Sequence, residues 1–93
     1  MRESTVERAI CLYAKSKGWL VRKFTSPQHK GVCDRLFINL QGTTVYLEIK
    51  APGEVPEPLQ AREIRLLRSR GVGAGYCDNV AAGKKFLDEH ENK

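Results

Sequence analysis

A chain of 93 residues accommodates one domain, spanning 1–93, and excludes a multidomain enzyme. At this length folding removes only about 60–65% of the surface from water, so a second copy would usefully extend a thin core. Apolar residues make up 41% and charged residues 29% of the chain, which excludes a disordered or low-complexity polypeptide, and a net charge of +5 with a pI near 9.3 suits a polyanionic partner, nucleic acid first among them.

Three cysteines, Cys11, Cys33 and Cys77, occur without a C-x-x-C pair. That argues against a disulfide framework and, with only His29 and His90 to help, against a zinc site. The first residues, MRESTVERAI, contain no apolar signal core, and no apolar run is long enough to span a bilayer. The expected setting is therefore a reducing cytoplasm, with no membrane partner.

The chain opens on a helix predicted over 4–17. Val6, Ile10, Tyr13 and Ala14 recur at helical spacing, Ser4 and Glu7 have the spacing of a capping box, and Gly18 marks the stop. WLVRKF at 19–24 reads as a strand, and CDRLFINL at 33–40 as a second one. A Gln41-Gly42 turn then leads into a third strand, TTVYLEIK, at 43–50. The proline-rich APGEVPEP breaks the pattern. A second helix is predicted over 58–70 with Leu59, Ile64, Leu66 and Leu67 as its apolar face, followed by a short strand, VGAGYC, at 72–77. Asp78 or Asn79 would cap a last helix over 80–89. The order α-β-β-β-α-β-α, with a helical crossover between the third and fourth strands, implies an α/β fold. Its mixed central sheet would be flanked by helices.

The third strand carries the chemistry. Period two sends Val45, Leu47 and Ile49 to one face, expected to pack on a helix, and Tyr46, Glu48 and Lys50 to the other. Glu48 and Lys50 then stand about 6.6 Å apart along the strand, close enough for an acid and a lysine to serve one cation and one attacking water. An exposed Glu-x-Lys pair on a solvated face is the competing reading. Asp34 weighs against it, because it opens the preceding antiparallel strand and can bring a second carboxylate beside Glu48. Two hard oxygen ligands and a backbone carbonyl suit Mg²⁺ or Mn²⁺. Simple alternation, however, puts Asp34 on the face of Leu36 and Ile38, expected to be buried, so a bulge near Cys33 is needed.

Taken together, G31-V-C-D34-R-L-F-I, Y46-L-E48-I-K50, P58-L-Q60 and R70-G-V resemble the VRR-NUC family of PD-(D/E)XK nucleases. The resemblance runs through nearly the whole chain, with Cys33 where family members usually carry proline. It implies a restriction-endonuclease-like αβββαβ core and a metal-dependent DNA endonuclease. Asp34 and Glu48 would bind Mg²⁺ or Mn²⁺ with the Ile49 carbonyl, and Lys50 would orient the water or stabilise transition-state charge. Glu7 would add a metal or water contact from the first helix, and Gln60 would reach the site from the second. The resemblance also implies a homodimer acting on structured or branched DNA, in the manner of Holliday-junction resolvases. Small standalone members occur in phages and prophages, which would place the protein in a bacterial host's cytoplasm. No organic cofactor is implied. Lys23, His29, Lys30 and Arg35 surround the first loop and are candidate phosphate contacts. The alternative is a non-catalytic nucleic-acid-binding module or assembly subunit that keeps the fold. G71-V-G-A-G75 precedes a strand and lacks the lysine and hydroxyl of a phosphate loop, so it is set aside.

Overall fold

The computed structural model describes residues 1–23 and 35–91. The elements follow the expected order: α1 (Glu3–Ser16), β1 (Leu20–Lys23), β2 (Arg35–Ile38), β3 (Thr44–Ile49), α2 (Pro58–Ser69), β4 (Gly73–Cys77) and α3 (Val80–His90). The strands form one sheet in the order β1-β2-β3-β4. β1, β2 and β3 are a meander of antiparallel neighbours, and β4 lies parallel to β3 after the α2 crossover. The result is the mixed sheet and restriction-endonuclease-like core expected from the sequence.

Alternation on β3 sorts the two layers. Val45, Leu47 and Ile49 join Val6, Ile10 and Ala14 of α1, Leu87 of α3, Trp19, Phe37 and Cys77 in the main buried cluster. A second, smaller cluster forms on the opposite face, where Ile64 of α2 meets Ala74, with Tyr46 and Leu67 packed against it. Thus α1 and α3 cover one face of the sheet, and α2 sits on the other, chiefly over β4. Among the described residues no helix is long and apolar enough to cross a membrane.

Four expectations are corrected. First, α1 starts at Glu3 with extended Arg2 as the cap residue and no side-chain cap bond. The Ser4–Glu7 capping box does not form, because Ser4 lies inside the helix; the Glu7 carboxylate accepts from the Arg35 guanidinium. Second, Leu59 and Leu66 are exposed; only Ile64 and Leu67 of the proposed apolar face of α2 turn inward. Third, on β2 it is Phe37, with no exposed surface, that enters the main core. Leu36 and Ile38 lie on the other face, in register with Tyr46 and Thr44. Asp34 and the bulge expected near Cys33 lie outside the described residues. Fourth, β3 (Thr44–Ile49) is one residue shorter at each end, and β4 (Gly73–Cys77) one residue shorter at its start, than the sequence suggests.

Two contacts fix the connections near the end of β3. Asn79 caps α3, its side-chain oxygen accepting from the Ala82 N–H at 2.8 Å. Asp78 accepts from the Gly53 N–H at 3.0 Å, and that bond, helped by the Asn79 amide, holds its carboxyl below the ordinary range. The loop after Lys50 is thereby tied to the start of α3.

Candidate active site

β3 ends in three successive buried residues, Leu47, Glu48 and Ile49. Two of them belong to the main core. Glu48 points to the α2 face, yet is only 2% exposed. A carboxylate removed from water this far is costly unless donors replace its hydration. Gln60, in the first turn of α2, supplies one: its Nε2 donates to Glu48 Oε1 at 2.8 Å. Lys50 supplies positive charge, its Nζ 3.7 Å from the same oxygen, with only 12% of the lysine side chain exposed.

Gln60 is held at both ends. Its Oε1 accepts from the Glu57 N–H at 2.8 Å, satisfying one of the orphan donors at the start of α2. With the amide oxygen committed to the helix end, the NH₂ must face Glu48. One amide thus both caps the helix and holds the Glu48 carboxylate. The signal was available: E57-P-L-Q60 has a Pro at the first helical position and Gln three residues after the cap.

Lys50 is fixed by its backbone as well. Its N–H donates to Cys77 O at 2.8 Å, continuing the parallel ladder past Ile49↔Cys77. Because the peptide is trans, the Ile49 carbonyl points away from β4, toward the β2 side of the strand. A carboxylate and a carbonyl at one strand end form a hard oxygen donor set that fits Mg²⁺ or Mn²⁺ better than a soft metal. Among the described residues no group of three His, Cys, Asp or Glu side chains could hold a metal by itself. Asp34, His29 and Lys30 lie outside the described residues.

The structure brings Glu48, Lys50 and Gln60 together. Glu7 pairs with Arg35 on the α1 side, while Gln60 reaches Glu48 from the α2 side. Arg35, expected to contact phosphate, is therefore engaged in an internal ion pair. Lys23 is exposed but pairs in register with Arg35 on the α1 face. Its neighbour Arg22, passed over in the sequence, pairs with Leu36 and so shares the face of Glu48. Parity would have found Arg22 had Phe37 been recognised as the inward residue of β2. Cys11 and Cys77 are free thiols, and burial pushes Cys77 up to about 11, which leaves it protonated and inert at neutral pH.

Gln60→Glu separates the two roles of this side chain. A glutamate at that position still accepts from the Glu57 N–H, but it offers Glu48 a second carboxylate in place of a donor. The folded pair then binds a proton that the unfolded chain releases above about pH 4.3. Stability of the variant should therefore fall as pH rises from 5 to 8 more steeply than that of wild type. Melting temperatures of the two proteins across that range test this; equal slopes would mean the Gln60 amide does not face Glu48.

No protein-family model matches the chain. "Putative nuclease p44" of Acyrthosiphon pisum secondary endosymbiont phage 1 is 40% identical over 63 residues, covering 68% of each protein. A solved structure described as a VRR_NUC domain superposes with a TM-score of 0.84 at 29% identity, over 95% of each chain. On these two matches the chain belongs to the VRR-NUC family of nuclease domains.

Proposed function

We propose that the protein is a metal-dependent DNA endonuclease that hydrolyses phosphodiester bonds. The observation that carries this reading is the buried Glu48 carboxylate, held between the Gln60 amide and the Lys50 ammonium at the end of β3. A buried charge so arranged weakens a small fold unless it has a task. The nuclease-like relative and the VRR_NUC structure support the same chemistry.

A divalent ion, Mg²⁺ or Mn²⁺, would neutralise phosphate charge and lower the pKa of a bound water. Glu48 and the Ile49 carbonyl would hold it, with Asp34 as second carboxylate. The register favours Asp34: the last described pair is Arg35↔Leu47, Asp34 precedes Arg35 in sequence, and Glu48 follows Leu47. Gln60 keeps the Glu48 carboxylate in one orientation, and Lys50 sets a positive charge beside the reacting phosphate. Cutting both strands or resolving a junction needs two such sites, so the working species is a homodimer on branched DNA.

The test is cleavage of supercoiled plasmid, linear duplex, single strand and a four-way junction with Mg²⁺, with Mn²⁺ and with EDTA, alongside thermal melting with each metal. Cutting that requires metal, together with a metal-dependent rise in Tm, is the expected result. A Tm that metal does not change and DNA left intact would instead identify a binding module or assembly subunit.

A further inference from the structure

β4 is the outer strand beside the active site, and its residues are small at every position but one. Packing demands this: a Cβ at Gly73 would stand 2.7 Å from the His90 ring and one at Gly75 3.1 Å from the Phe86 ring, while Ala74 and Cys77 are buried. Tyr76 is the exception, a large aromatic side chain left 47% exposed. It stands in register with Glu48. Two residues beyond Ala74, it points to the same α2 face. Adjacent strands lie about 4.8 Å apart, so the phenol is the next side chain to the buried carboxylate on the outer side of the sheet. Its hydroxyl makes no hydrogen bond among the described residues. The strand edge below it is capped by an arginine. Cys77 O accepts from the Lys50 N–H, and the alternation of a parallel ladder then turns the peptide groups of Ala74 and Tyr76 outward. Ala74 O is taken by Arg68 Nε at 2.7 Å, which closes the edge to a further strand at that position. Arg65, on the same flank of α2 as Arg68, lies nearer the helix start where Gln60 meets Glu48, and so nearer the level of Tyr76. Both arginines are exposed. Asp78, the next acid along the chain, is committed to the Gly53 N–H and the Asn79 amide.

We propose, resting on the nuclease reading above, that Tyr76 is a substrate-binding residue whose phenolic hydroxyl donates to a phosphate next to the scissile one, with Arg65 continuing the contact along the β4 edge. A hydroxyl and two guanidinium groups supply donors, and the acceptors nearest to hand on a strand lying over Glu48 are its unesterified phosphate oxygens. A protein strand added to this edge would need the carbonyl that Arg68 occupies. The register assigns the position: a phosphate reacting at Glu48 and a phosphate held by the phenol are separated by one strand spacing, so they belong to neighbouring nucleotides. Holding the second fixes the strand along β4 and limits its slide over Glu48 and Lys50. Because a phosphate contact carries no sequence information, the contact is indifferent to the bases.

Fluorescence anisotropy of the full chain without metal tests this on a normal DNA and on the same DNA carrying a run of abasic nucleotides, each titrated across a range of salt. Tyr76→Phe removes only the hydroxyl and is expected to weaken binding about tenfold on both DNAs, with the salt slope of wild type, since no charge is lost. Arg65→Gln should lower that slope by about one. Tyr13→Phe makes the same chemical change on the α1 side, where the hydroxyl donates to Asp88 at 2.6 Å, and should leave DNA affinity unchanged. Wild-type affinity in Tyr76→Phe overturns the proposal. So does a penalty confined to the normal DNA, which would make the contact one to a base. A fall in the Tm of Tyr76→Phe overturns it by showing the hydroxyl bonded within the fold, and sedimentation in which Tyr76→Phe splits a dimer overturns it by making the edge an interface between copies. Because no cutting is measured, a protein that shows the expected penalty yet cleaves nothing keeps this contact and loses the nuclease reading.

Discussion

Glu48→Gln is expected to abolish cleavage without destabilising the metal-free protein. The substitution keeps the shape of the side chain and an oxygen for the Gln60 Nε2 to reach at the present 2.8 Å. What it removes is a charge at a site only 2% exposed. The relief of the carboxylate's desolvation is set against the loss of the Lys50 counter-charge, so the Tm without metal should change little. The hard anionic ligand is lost with the charge, and the metal-dependent increase in Tm should vanish with it. Activity should drop by a factor on the order of 10³ or more, since ion and phosphate neutralisation fail together. Lys50→Ala differs in kind. It leaves the carboxylate and therefore metal binding, but removes one preorganised positive charge, which lowers the cleavage rate by about 10²–10³. Single-turnover rates and metal titrations by melting distinguish the two variants. If Glu48→Gln cuts at a wild-type rate, the catalytic assignment is wrong; if Lys50→Ala abolishes the metal response, Lys50 is supporting the fold rather than the reaction.

The element order and the crossover were legible because hydrophobic periodicity changes cleanly between 3.6 and 2 and because Gly18, Gln41-Gly42 and the APGEVPEP segment punctuate it. Tertiary choices were not. RLFI in β2 alternates in either sense, and the sequence cannot show that Arg35 faces α1 until Glu7 is seen to neutralise it. That undetected ion pair displaced the inward face of β2. The site itself was more legible than the sheet. Glu48 and Lys50 followed from the strand period, and Gln60 from the resemblance. Their arrangement did not follow, because nothing in a single strand reveals that a helix cap three residues long orients the amide facing it.

The second large effect concerns the contact that brings α3 down onto the sheet. Gly83 lies mid-helix, where glycine ordinarily costs about 1 kcal/mol relative to alanine, so propensity alone makes Gly83→Ala stabilising. The packing argues the reverse. A Cβ at Gly83 would stand 2.3 Å from Ile10 Cδ1, 2.7 Å from Ile10 Cγ1 and 3.3 Å from Cys77 Sγ. Ile10 has no exposed surface and Cys77 is 3% exposed, so neither neighbour can yield into solvent; α3 must lift or Ile10 must leave its rotamer. Overpacking of this kind costs about 3 kcal/mol, which exceeds the helical gain and leaves a net loss of about 2 kcal/mol. For a chain of this size that lowers Tm by roughly 8–16 °C. Ile10→Val removes the nearest atom, Cδ1, so the double variant Ile10→Val with Gly83→Ala should be less destabilised than the two single changes sum to, by about 1 kcal/mol. Thermal and urea melts of all four proteins give that coupling directly. An unchanged or raised Tm in Gly83→Ala would mean the helices do not approach this closely. The loss should extend to the active site, because Cys77, the residue that Gly83 and Ile10 enclose, is also the backbone acceptor that holds the Lys50 N–H. Lifting α3 loosens the ladder on which Lys50 is aligned, and residual activity in the variant, measured well below its Tm, should fall while the metal response carried by Glu48 persists.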